Sequence, residues 1–122
     1  MATSIDQGAL RDSVYEAYEK FGFEILERGW GNDDASIGLI AHGPKSHIYI
    51  FADLYLPAPD GTPAPKEDLS EVAHQRYLKV LADYAAHKNI DIELSRYDAV
   101  HVSLGRACNC IHRYVGVFEE VR

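Results

Sequence analysis

Residues 37–57, IGLIAHGPKSHIYIFADLYLP, constrain the chain more than any other stretch. Two apolar runs flank a turn at Gly43-Pro44-Lys45, the pattern of two strands joined as a hairpin. One residue does not fit: Asp53 is a carboxylate inside IYIFADLYL. Carboxylates avoid buried strands unless something pairs with them. Asp53 is therefore either a solvated carboxylate at the sheet edge or one paired at a pocket rim, with His74, His42 or an arginine as candidate partners.

The rest of the chain alternates helical and strand patterns around this hairpin. Leu10, Val14, Ala17, Tyr18 and Phe21 share one helical face, and Gly22 follows where a helix-terminating glycine belongs. A first strand is expected over 23–28, then a turn at Gly31-Asn32-Asp33-Asp34, then strands over 35–42 and 46–56. The segment PAPDGTPAPKED carries four prolines and a glycine between Pro57 and Asp68. It reads as an exposed loop and as the most mobile internal part of the chain. A second helix over 68–88 has the face Leu69, Ala73, Tyr77, Val80, Leu81 and Tyr84, with Asp68 and Glu71 at capping-box spacing. Residues 96–104 and 110–118 supply two further strands. The order is α-β-β-β-α-β-β, an α/β (α+β) arrangement with a mixed sheet of about five strands flanked by helices.

Length and charge narrow the function classes. The 122 residues suit one domain with one core, read here as 1–122. No apolar run approaches the ~20 residues of a membrane span, and the N-terminus lacks the basic and apolar regions of a secretory signal. Two cysteines argue against a disulfide scaffold, and the expected location is cytoplasmic. A net charge of −7 disfavours a broad nucleic-acid footprint. The eight tyrosines are assigned to core or interface faces, which leaves a homodimer open.

Taken in order, FGFEILERGW, ASIGLIAH, IYIFADLY, HQRYLKVLADYA, SRYDAVHVSLG and IHRYVGVF resemble the successive motifs of the YraN-like family. The resemblance covers roughly residues 8–118. It implies a restriction-endonuclease-like fold related to Holliday-junction resolvases. Its best single match is Arg96-Tyr97-Asp98, which is structural in character.

The family resemblance also locates where nuclease chemistry belongs. Such hydrolysis needs carboxylates that hold divalent metal against a phosphate, and a lysine that neutralises developing charge. The family takes an Asp from the second strand and a Glu-x-Lys from the third. Here the Asp position is Gly38 and the preceding Glu position is Ser36. The strand Glu is Phe51, the Lys is Asp53, the helix lysine is His74, and the early-helix Glu falls near Arg11. Sliding the third strand by two puts Tyr55 at the lysine position and rescues nothing. Asp33 and Asp34, just before the second strand, are the remaining acids that could rebuild a metal site. Ser36, Gly38, Phe51, Asp53 and His74 are thus read as vestigial positions, with no catalytic residue, metal or cofactor expected. The expected role is a non-catalytic binding or interaction module. The alternatives are a metal-dependent nuclease on structured DNA and a small-molecule enzyme in a remodelled pocket.

Two other groupings are weaker. Cys108, Cys110 and His112 are too closely spaced for an ordinary zinc site and lack a distant ligand pair. Cys110 and His112 share a strand face, so a second chain could complete a site there. His101 and His112 are expected on neighbouring strands, without the orienting group that a Cys-His nucleophile needs.

Overall fold

The computed structural model describes residues 4–32, 35–45, 47–90, 95–106 and 108–116. Asp6 starts the first helix, α1 (Gln7–Lys20), by accepting the Ala9 N–H at 3.1 Å, and so satisfies one of the four free donors of the first turn. The helix stops at Phe21, where Gly22 takes φ 91°, a left-handed conformation that favours glycine. Leu10, Val14, Tyr15 and Tyr18 form its buried face. Phe21, expected on that face, is instead 64% exposed, because the helix has ended and its side chain clears the sheet.

The strands that follow are β1 (Glu24–Glu27), β2 (Trp30–Gly31), β3 (Ser36–Ile37), β4 (Leu39–Gly43) and β5 (Ile48–Tyr55). The single strand expected over 35–42 is broken at Gly38. Ser36 and Ile37 pair with β2 as a separate two-stranded ribbon, and the residues from Leu39 onward join the main sheet. β4 and β5 form the antiparallel hairpin, with Leu39 opposite Ala52 and Gly43 opposite Ile48.

The second helix, α2 (Glu71–Lys88), begins three residues later than the sequence suggests. Ser70 caps it by accepting the Ala73 N–H, while Asp68 accepts the Ser70 N–H one step upstream. Leu69 therefore precedes the helix and is half exposed rather than in the core. Asn89 ends α2 in a left-handed conformation (φ 54°). Strands β6 (Ser95–Ser103) and β7 (Cys110–Val115) complete a five-stranded sheet of order β1-β4-β5-β6-β7. Among the described residues only β5 and β6 pair in parallel, and α2 lies in the connection between them. The three residues expected beyond Val115 in the last strand begin with Gly116, which lies outside β7; the other two fall outside the described residues.

Each sheet face carries its own core because side chains alternate along a strand. Leu39, Ala41, Ile50, Ala52, Val100 and Val102 pack against α1. Ile40, Phe51, Tyr97 and Ala99 pack against Tyr77, Val80, Leu81 and Tyr84 of α2. The chain is thus a mixed α+β protein with one helix on each side of a mixed sheet. Burying each large apolar side chain contributes roughly 1.5–3 kcal/mol before entropy is counted. No helix among the described residues is long and apolar enough to cross a membrane.

The proline-rich loop is better anchored than its composition suggests. Pro57 is fully buried and its carbonyl accepts from the Gln7 side chain at 2.8 Å. Ile5 N–H donates to the Pro59 carbonyl, and a turn closes from Ala58 N–H to the Thr62 carbonyl.

Candidate functional site

Where β5 leaves the sheet, an open cleft of about 420 Å³ lies between α1, β3 and the proline loop. Three of the positions that the family resemblance singled out meet there: Ser36, Gly38 and Asp53. Arg11 reaches it from α1. Phe51 does not line it. This residue is fully buried, with its ring 5.9 Å from Tyr77 and 5.8 Å from Tyr84. His74 sits on the first turn of α2, its ring stacked on Tyr77 at 6.5 Å and 4.0 Å from Glu71. Asp33 and Asp34 lie outside the described residues.

The sheet geometry separates positions that the family resemblance draws together. Phe51 and Asp53 alternate onto the α2 face. A Cβ at Gly38 would lie 2.9 Å from Leu54 Cγ, and Leu54 packs on the α1 face. Gly38 is held there by its own backbone: its N–H donates to the Ala52 carbonyl and its carbonyl accepts from the Tyr15 hydroxyl. A carboxylate at position 38 would have to displace Leu54 before it could face anything.

Asp53 has the partners its burial demands. Arg76 Nη2 donates to Oδ2 at 2.7 Å from the second turn of α2, and the Tyr97 hydroxyl donates to the same oxygen at 2.5 Å from β6. The arginine among the expected partners is the one found. His42 instead lies against Tyr49 at 4.6 Å, at the far end of the hairpin. Burial pushes the Tyr97 hydroxyl well above the ordinary tyrosine range, and the hydrogen bond and charge of Asp53 push it further. Tyr97 thus acts as a fixed donor. The cleft lining then carries one carboxylate, already ion-paired, and one cation, Arg11, among the described residues.

A fully buried carboxylate lies on the opposite sheet face. Asp98 is fully buried and accepts from Arg96 Nε at 2.9 Å and Nη2 at 3.0 Å, from the Tyr18 hydroxyl at 2.8 Å and from the Gly116 N–H at 3.3 Å. This network joins α1, β6 and the end of β7, in keeping with the structural character read from Arg96-Tyr97-Asp98.

His101 and His112 are direct cross-strand partners, and Cys110 lies opposite Ser103 on the same face. Both cysteines are exposed and unbridged. Among the described residues no three His, Cys, Asp or Glu side chains converge to hold a metal ion.

Sequence reasoning missed Arg76, Tyr97 and Gln7 as neighbours of the cleft. Arg76 flanks the Tyr77 stripe of α2, ~100° round the helix from Tyr77 itself, and its position over Asp53 depends on how α2 crosses the sheet. Comparison with known proteins adds no relative: no family model matches the chain and no curated protein matches it significantly.

Proposed function

We propose that this protein is a restriction-endonuclease-like, YraN-like domain that has lost its nuclease site and works as a non-catalytic binding or interaction module. The observation that carries the reading is the state of Asp53. Where the family resemblance expects a cation, this chain has a carboxylate, and Arg76 and Tyr97 already occupy it. Phe51 fills the space beneath it with apolar volume. Metal-assisted hydrolysis relies on its groups as a unit, so replacing the acids and the lysine together removes most of the rate. What remains is a cleft with an ordered polar rim. Arg11, Gln7 and Ser36 can hold a partner or ligand there without activating water.

The test is incubation of the full chain with labelled four-way-junction, flap and single-stranded DNA, with Mg²⁺ or Mn²⁺, beside a gel-shift titration. No cleavage and no sub-micromolar binding are expected, given the net charge of −7. Metal-dependent cleavage that disappears in Asp53→Ala, Asp33→Ala or Asp34→Ala would overturn the reading. Affinity capture with wild type and Arg11→Glu then addresses the binding role. A partner retained by the first and lost by the second places recognition in the cleft.

A further inference from the structure

Strand β7 is the outer strand of the sheet, and one of its faces looks toward α1. Ile111 and Arg113 lie opposite Val102 and Val100 of the α1-side core. Between this face and the last turns of α1 is a groove of about 280 Å³ lined by Val14, Ala17, Tyr18, Phe21, Ile111 and Arg113. Its walls are apolar and Phe21 stands exposed at its mouth. The Arg113 guanidinium is clamped between two rings, 5.1 Å from the Tyr18 centroid and 4.4 Å from that of Phe21. Its Nη1 is buried and has no hydrogen-bond partner among the described residues. That atom is sealed from the groove, but Arg113 lines the groove and makes no ion pair among the described residues, so its positive charge there lacks a counter-charge of its own. Asp98, the carboxylate on this face, is already engaged by Arg96, Tyr18 and the Gly116 N–H.

We infer that this groove is a binding site for a small apolar monocarboxylate, whose carboxylate pairs with Arg113 while its alkyl or aryl body lies against Phe21, Val14 and Ile111. One guanidinium among apolar walls balances one negative charge and would leave a phosphate dianion half-compensated. The volume lies just under the ~300–1,000 Å³ typical of small-molecule sites, which suits a short or medium-length chain. The site is separate from the cleft at Asp53 and does not depend on the role proposed for it.

Calorimetric titration of the full chain with octanoate tests this, with octanol, octylamine and acetate as controls. Saturable one-to-one octanoate binding is expected, about tenfold or more tighter than octanol, the difference a charge-assisted hydrogen bond supplies. Octylamine and acetate should not saturate. Arg113→Met should remove that preference and leave octanol unchanged. Phe21→Ala, at an exposed position that the fold tolerates, should weaken octanoate and octanol alike. Backbone amide shifts should map the bound octanoate to residues 14–21 and 111–113. The inference fails if octanoate does not saturate at millimolar concentration, if octanol binds equally well, if folded Arg113→Met or Arg113→Lys binds octanoate as wild type does, or if the shifts map elsewhere.

Discussion

Asp53 and Asp98 stand on adjacent strands, each bonded to an arginine and a tyrosine hydroxyl, yet they do different work. Asp98 is fully enclosed on the α1 face, and its arginine comes from two residues away on the same strand. Asp53 keeps 17% of its side chain exposed at the cleft, and its arginine comes from a helix on the α2 face. Asp98 accepts from three separate parts of the chain, whereas Asp53 directs one oxygen to two donors and keeps an edge toward solvent. Similar residue sets thus yield a tertiary staple in one place and the rim of a site in the other. The difference comes from enclosure, because a buried pair that loses one member strands the other, while a pair at a rim can fall back on water.

The largest effect should follow Asp98→Ala, a loss of about 3–5 kcal/mol, because it leaves the mostly buried Arg96 and the Tyr18 hydroxyl without their acceptor. Urea unfolding at unchanged m-value measures it. Asp53→Ala should cost less, about 1–3 kcal/mol, since Arg76 is a third exposed and can turn to solvent. If the order of the two losses were reversed, the comparison would be broken. A double-mutant cycle of Asp53→Ala with Tyr97→Phe sharpens it, with a coupling of about 1 kcal/mol expected.

Both tyrosines also predict alkaline behaviour. Burial, then the carboxylate each one faces, raises the hydroxyls of Tyr18 and Tyr97 above their unfolded value of about 10. The fold favours the protonated form, so this stability is fully present below about pH 10 and is lost as pH rises through and beyond it. Tyrosinate absorbance should show the Tyr18 and Tyr97 hydroxyls ionising only with unfolding, with one fewer such hydroxyl in Tyr97→Phe. Titration of both with the exposed tyrosines would contradict the assignment.

The smallest effect concerns the loop that leaves the strand of Asp53. Amides at Ala58 and Gly61, which donate to the carbonyls of Thr62 and Ala58, should exchange more slowly than those at Ala64 and Lys66. Uniformly fast exchange across 57–66 would restore the simpler picture of a bare, mobile proline loop.

Much of the architecture is readable from local pattern. The faces Leu10-Val14-Tyr18 and Ala73-Tyr77-Val80-Leu81-Tyr84, the hairpin around Gly43 and the alternation of Val100 and Val102 are periodic features that follow from 3.6- and 2-residue repeats alone. Local chemistry also fixes Gly22 and Asn89 as helix ends. The break at Gly38 was not readable, because an apolar run looks the same whether it forms one strand or two. Nor was the core status of Phe21 and Leu69, which turned on a helix boundary one to three residues away. The partners of both carboxylates belong to the same class. Tyr97 reaches Asp53 only because β5 and β6 pair in parallel with Asp53 opposite Ala99, and Arg76 reaches it only through the path of α2. Tyr18 meets Asp98 across 80 residues of chain. Such contacts are set by strand register and helix docking, which are cooperative outcomes of burying two faces at once. No short stretch of residues carries that information.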